Sequence, residues 1–123
     1  MYRTYGERVA FLFVYIREAH ASDEWQMPSN VTENVVLVQP ATLPKRRDAA
    51  KQCCERMSLS MPTVVDDVHD PVDSAYAGWP ERMFVIDARG RIVYAGKQGP
   101  WGFKPDEVRD WLRKDAAERA GKP

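Results

Sequence analysis

The chain has 123 residues, and its 18 Lys and Arg residues balance 18 Asp and Glu residues to a formal net charge of zero. With 44% hydrophobic and 29% charged residues, the composition is that of a single folded domain over residues 1–123. The neutral charge argues against a nucleic-acid partner. No apolar run approaches the roughly 20 residues of a membrane span, and the first residues lack a signal-peptide pattern, so we expect a cytoplasmic protein without a membrane span.

Residues 9–16 are eight consecutive apolar residues, several of them aromatic or β-branched. Such a run is typical of a strand covered on both faces, so it predicts a strand at or near the centre of a sheet. The polar residues that follow, among them Glu18 and His20, then lie at the carboxyl end of that strand. Residues 23–43 contain prolines and asparagines, which predicts an irregular segment with one short strand at residues 35–38.

A helix is predicted over residues 44–57, with Thr42 as its N-cap. Apolar residues spaced four apart form the stripe that this helix is expected to bury: Ala49, Cys53 and Met57. The charged residues of the same helix are expected to be solvated: Lys45, Arg46, Arg47, Lys51 and Glu55.

The next segment predicts a short strand at residues 62–66 and a helical turn at residues 71–76. Residues 82–87 and 91–95 are β-rich runs on either side of a turn that contains Gly90, which predicts a hairpin. A strand, helix, hairpin and helix in this order are typical of an α/β protein with a mixed sheet.

The last predicted element is a helix that begins near Lys104, after a glycine-rich loop at residues 96–102. Pro105 suits the first turn of that helix, where its missing N–H costs nothing. Its buried stripe is expected to consist of Val108, Trp111, Leu112 and Ala116. Residues 117–123 are expected to fray.

Pro80 stands directly before the first strand of the hairpin, where a proline has no sheet hydrogen bond to lose. In thioredoxin-fold proteins a cis-proline occupies this place, and the sequence resembles them here. We therefore predict a cis bond between Trp79 and Pro80, although few X–Pro bonds are cis. The fold expected is a thioredoxin-like mixed sheet flanked by helices.

Residues 15–25 read YIREAHASDEW. They resemble the Tyr-Ile-x-Glu-Ala-His-x-Ser-Asp-Gly-Trp signature of the iodothyronine deiodinase family. Further matches follow in order: VVD at residues 64–66, PERMFVI at 80–86, GPW at 99–101 and PDEVR at 105–109. The resemblance covers about residues 5–114 and implies a thioredoxin-like domain that removes a halogen from an aromatic ring with a selenocysteine or cysteine nucleophile.

The resemblance implies catalytic roles for Glu18 and His20. Residues two apart on an extended segment point the same way, so the carboxylate can orient the imidazole that delivers a proton to the ring carbon. Four residues are candidates for substrate binding, although Trp25 could instead serve in packing and Lys97 and Gln98 in a solvated hinge: Trp25, Pro80, Lys97 and Gln98. The family needs no bound cofactor and uses an external thiol reductant, so the expected partners are a small halogenated aromatic molecule and a thiol.

The chain departs from the family pattern at three places. Residues 1–52 contain no cysteine, so the nucleophile and the first strand–helix element, roughly 30 residues, are expected to be missing. Glu24 replaces the glycine of the signature, and Pro40 falls at or near the position of a second histidine. Catalysis by this chain alone is therefore in question. A thioredoxin-fold binding domain without catalysis is one alternative, and a relative of the peroxiredoxin or TlpA-like thiol reductases is another.

The two cysteines, Cys53 and Cys54, are adjacent and do not restore a nucleophile, because neighbouring cysteines within a helix lack the geometry of a redox pair. We expect Cys53 to be buried and Cys54 to be partly exposed, with the role of a resolving thiol as the alternative. A metal site around His69 and its neighbouring acids is not favoured, because no second histidine has suitable spacing.

In a thioredoxin sheet the missing strand would lie between residues 9–16 and residues 82–87. Its loss would leave two inner strand edges unpaired. Either those two strands pair with each other, or a second copy of the chain supplies the pairing in a homodimer. Of these two outcomes, we expect the homodimer.

Overall fold

The computed structural model describes residues 1–19 and 39–121. The chain divides into two compact units: the parallel unit, Phe11–Pro80, and the hairpin unit, Met1–Ala10 with Glu81–Pro123. The elements in chain order are α1 (Tyr2–Tyr5), β1 (Phe13–Tyr15), α2 (Leu43–Arg56), β2 (Thr63–Val65), α3 (Pro71–Tyr76), β3 (Phe84–Ile86), β4 (Ile92–Ala95) and α4 (Pro105–Ala120). The strand predicted at residues 35–38 lies outside the described residues.

In the parallel unit, β1 pairs with β2 in parallel, with Val14 opposite Val64. Helix α2 packs on this pair, and its small residues Ala49 and Ala50 form a buried cluster with Tyr15. Phe13, Cys53 and Val65 pack against that cluster. Alanine side chains let the helix backbone approach closely enough for the Tyr15 ring to fill the space between helix and sheet.

Strand β1 is shorter than the eight residues predicted. Only Phe13–Tyr15 pair with β2, and Leu12 is exposed. The neighbouring strand is itself three residues long, so the hydrogen-bonded ladder ends where its partner ends. Hydrophobicity alone could not set this limit.

Helix α2 has nearly the predicted bounds, and Thr42 is its N-cap residue, although the Thr42 side chain makes no capping bond. Two predicted positions are wrong. Arg46 is buried instead of solvated, because its Nη1 donates to two acceptors in the loop after β2. Met57 is 61% exposed, because it follows the last helical residue and leaves the apolar stripe. Cys53 and Cys54 are both half-buried.

The hairpin unit contains the predicted hairpin. Strands β3 and β4 are antiparallel, with an irregularity between Val85 and Ile86. Gly90 has a φ of +78° in the turn, a conformation that residues with a side chain rarely adopt. The Asp87 carboxylate accepts bonds from the Arg89 and Arg91 backbone N–H groups, and this closes the turn.

Helix α4 buries Val108 and Leu112, while Trp111 and Ala116 are half-buried, close to the predicted stripe. The helix continues to Ala120, past residue 117, where fraying was expected to begin. No helix within residues 1–19 and 39–121 is long and apolar enough to cross a membrane.

The small parallel and antiparallel sheets, flanked by helices, make a mixed α/β protein with a thioredoxin-like fold, as predicted. The Trp79–Pro80 bond is cis, which confirms that prediction. The Gly99–Pro100 bond is also cis and was not predicted.

Candidate active site

Polar side chains follow both strands of the parallel unit where these strands end. Arg17 and Glu18 come shortly after β1, and Asp66 comes directly after β2. Because the two strands are parallel, their carboxyl ends meet at one edge of the sheet. This is the edge at which α/β proteins place their ligands.

Glu18 is held through its backbone by one side chain. Its N–H donates to Oε1 of Gln39 at 3.1 Å, and its carbonyl accepts from Nε2 of Gln39 at 3.3 Å. The Gln39 side-chain amide therefore bonds both the N–H and the carbonyl of Glu18, which lies beyond the last residue of β1. The two bonds fix the point from which the Glu18 carboxylate projects.

The Glu18 carboxyl group is half-buried, and its pKa is set by two opposing effects. Burial raises the pKa, and the positive charge of Arg46 lowers it, with burial the larger effect. A raised pKa brings a carboxylic acid closer to the neutral range in which it can exchange protons with an imidazole.

Arg46 projects from α2 towards the loop that follows β2. Its Nη1 donates to the Asp67 carbonyl and to Oδ1 of Asp70, at 2.6 Å each. Only 2% of the residue is exposed, so water screens its positive charge little and the charge interacts strongly with nearby groups. Arg46 thus joins α2 to the loop and places a fixed cation within electrostatic reach of Glu18.

Asp73 connects Arg17, the neighbour of Glu18, to Trp79, the neighbour of Pro80. Its carboxylate accepts from Nε of Arg17 at 3.2 Å and from the Trp79 N–H at 2.8 Å. The Arg17 guanidinium also stacks over the Trp79 ring, 4.9 Å from its centroid. These contacts hold the Trp79–Pro80 peptide against the end of β1.

The acidic segment after β2 has a structural role. The buried Asp66 carboxylate accepts from the backbone N–H groups of Asp67, Val72 and Asp73, and so holds the start of α3. His69 is exposed. Within the described part of the chain, no group of three His, Cys, Asp or Glu residues is arranged to hold a metal ion.

In the hairpin unit, the loop that carries Lys97 and Gln98 is attached to the start of β3. The Gly96 N–H donates to the Met83 carbonyl at 2.8 Å, and Nε of Arg82 donates to the Gly96 carbonyl at 2.6 Å. Both loop residues are exposed. Their side chains are thus presented from a backbone that is fixed at its base.

The predicted site residues fall into three groups. Glu18 and Pro80 belong to the parallel unit, and Lys97 and Gln98 belong to the hairpin unit. The other two, His20 and Trp25, lie outside the described residues.

Sequence reasoning missed two residues beside Glu18. Gln39 carries no signal of its own, because its role depends on a contact across 21 positions. Arg46 did carry one: it precedes Ala49, Ala50 and Cys53 by three, four and seven positions, the spacing of one helix face. Its charge led to the wrong prediction.

The fold and this site define a thioredoxin-like α/β protein with a half-buried carboxyl group at the edge of the sheet. The family model described as iodothyronine deiodinase matches residues 1–116. The type I iodothyronine deiodinase of Xenopus laevis is 41% identical over 104 residues, 85% of this chain and 39% of that protein. The human type II iodothyronine deiodinase is 35% identical over 114 residues, 91% of this chain and 41% of that protein.

The thyroxine 5-deiodinase of Bos taurus is 32% identical over 115 residues, covering 89% of this chain and 35% of that protein. With a family match over nearly its whole length, the chain belongs to the iodothyronine deiodinase family. It spans roughly two-fifths of the length of these relatives, between 35% and 41%.

Proposed function

We propose that this protein is a deiodinase-like thiol or selenol oxidoreductase that removes a halogen from a small aromatic substrate. The observation that carries the proposal is the family match over residues 1–116. A second support is the environment of Glu18, whose backbone is held by Gln39 and whose carboxyl pKa is raised by burial.

In the proposed reaction, a thiolate or selenolate attacks the halogen. The carbon–halogen bond breaks, a sulfur–halogen or selenium–halogen bond forms, and the ring carbon takes a proton from His20. Glu18 orients and charges the imidazole. An external dithiol then reduces the new bond, which releases halide, regenerates the nucleophile and leaves a disulfide.

The nucleophile is proposed to come from a cysteine or selenocysteine outside these 123 residues. Residues 1–52 contain no cysteine. Burial and the nearby Glu18 charge raise the pKa of Cys53, so little of its thiol ionises at neutral pH. Cys53 is therefore poorly suited to the attack on the halogen.

The substrate is proposed to contact Trp25, Pro80, Lys97 and Gln98. The exposed ammonium group of Lys97 suits a substrate that carries a carboxylate. The other partners that we propose are a thiol reductant and a second copy of the chain. We also propose that the protein acts in the cytoplasm and needs no bound cofactor.

The test supplies the nucleophile from solution. Iodide release from an iodinated phenol is measured with a small selenol, excess dithiol and the purified 123-residue chain. We expect the chain to release iodide faster than selenol and dithiol do alone. Glu18→Gln or His20→Gln should lower that accelerated rate about 100-fold, because each substitution removes one partner of the proton transfer.

The chain offers a matched control for each substitution. His69→Gln changes the second of its two histidines, and Glu55→Gln changes an exposed carboxylate on α2. Both controls should retain wild-type rates. If the wild-type chain gives no acceleration, or if the controls lose as much rate as Glu18→Gln and His20→Gln, the proposed chemistry is wrong.

A binding domain without catalysis is the second candidate. It is favoured by the raised pKa of Cys53 and by the lack of another cysteine outside the Cys53–Cys54 pair. It predicts that the iodinated phenol binds to the chain, measured by calorimetry, while iodide release stays at the background rate with any thiol or selenol.

A further inference from the structure

We propose that Gln39 is the positioning residue of this site: its side-chain amide clamps the Glu18 backbone and so fixes the point from which the Glu18 carboxyl group projects. The inference rests on the proposed function, because it assigns Gln39 a role in the proton transfer proposed for Glu18 and His20.

The first argument is the completeness of the clamp. Strand β1 ends at Tyr15, and the last ladder bond at this end runs from the Asp66 N–H to the Tyr15 carbonyl. Within residues 1–19 and 39–121, no further ladder bond beyond that one reaches Glu18. The Gln39 amide supplies both a donor and an acceptor, at 3.3 and 3.1 Å, and continues the hydrogen bonding of the strand.

The second argument is the anchorage of Gln39 itself. It precedes the buried Pro40 and lies three residues before Thr42, the N-cap of α2. Helix α2 packs on β1 through the cluster of Tyr15, Ala49 and Ala50. The clamp therefore connects Glu18, at the end of β1, to the residues that lead into α2. Because α2 packs on β1, Glu18 is held in a fixed position relative to the buried cluster.

The third argument is the position of the clamp along the chain. Glu18 and Gln39 are 21 positions apart and enclose residues 19–38, which include His20 and Trp25. The clamp joins Glu18 to Gln39, which lie on either side of this stretch of sequence. His20, the proposed proton donor, is two residues from Glu18 in the sequence.

The test measures the clamp directly. Gln39→Ala removes both bonds, and Gln39→Glu keeps an oxygen that can accept from the Glu18 N–H. Amide hydrogen exchange is followed by NMR, with the ladder amides of Phe13 and Asp66 as internal references. In Gln39→Ala we expect the Glu18 amide to exchange about tenfold faster while both references are unchanged.

Gln39→Glu should retain more protection at Glu18 than Gln39→Ala does. Gln52→Ala, which changes an exposed glutamine of α2, is the matched control and should leave the Glu18 amide as in the wild type. In the selenol assay Gln39→Ala should lower kcat with little change in KM, because the substrate is still bound while the proton-transfer group is displaced.

Three results would overturn the proposal: unchanged Glu18 exchange in Gln39→Ala, an equal loss of protection at Phe13 and Asp66, or unchanged kcat in an assay where Glu18→Gln is impaired. If neither the wild-type chain nor any variant accelerates iodide release, the proposed function is wrong, whatever the exchange measurement shows. The exchange measurement then still decides whether the clamp exists.

Discussion

Three consecutive basic residues, Lys45, Arg46 and Arg47, lie in the first turns of α2, and only the middle one is buried. Lys45 and Arg47 are exposed, whereas Arg46 donates to the Asp67 carbonyl and the Asp70 carboxylate. A buried guanidinium is tolerated when acceptors replace its water. All three side chains carry a positive charge, and the surroundings of each one decide whether it is solvated or buried.

At this scale, Arg46→Met should lower the free energy of unfolding by about 2–3 kcal/mol, because it removes the guanidinium that pairs with the half-buried Asp70 carboxylate and donates to the Asp67 carbonyl. Arg47→Met, on the exposed side of the same turn, should change stability by less than about 0.5 kcal/mol. Urea unfolding of both variants measures the difference, and equal midpoints would contradict the role given to Arg46.

At the scale of elements, the loop at residues 96–102 is held by close backbone packing as well as hydrogen bonds. A Cβ on Gly102 would collide with the Gln98 carbonyl oxygen and the Lys97 side chain. The Gly102 N–H also donates to that carbonyl at 3.0 Å. Glycine is required here because the chain folds back on itself with no room for a side chain.

Gly102→Ala is therefore expected to lower the free energy of unfolding by about 1–3 kcal/mol, since the collision is with backbone and cannot be relieved by rotating a side chain. Gly121→Ala is the matched control: its Cβ would lie 3.6 Å or more from any neighbour, an ordinary contact. Thermal unfolding compares the two. A Gly102→Ala protein as stable as the control would show that the loop can shift at no cost.

At the scale of the whole molecule, the strands of residues 1–19 and 39–121 form one two-stranded sheet in each unit. Within the described residues, β1 and β3 therefore each have one strand partner. Large apolar side chains of the hairpin unit are also exposed: Ile86, Ile92, Val93 and Trp101. Of these four residues, Trp101 is the most exposed, at 91%. Unpaired strand edges and exposed apolar residues favour association.

We accordingly predict that the purified 123-residue chain is a dimer by light scattering. Ile92→Lys, on β4 and 52% exposed, should shift it towards the monomer, because a charge on an apolar contact opposes association. Val72→Lys, on α3 and 38% exposed, is the control and should leave the dimer intact. A monodisperse monomer of the wild-type chain contradicts the prediction.

Local patterns in the sequence were enough to predict helices α2, α3 and α4, the hairpin with Gly90, the cis bond before Pro80 and the family, because each depends on neighbouring residues or on a contiguous motif. Only the tertiary structure decided where β1 ends, that Arg46 is buried and that Gln39 holds Glu18. Each of these outcomes depends on a partner distant in sequence, whether β2, Asp70 or Glu18. No pattern within one segment of a chain specifies what the folded chain will bring opposite it.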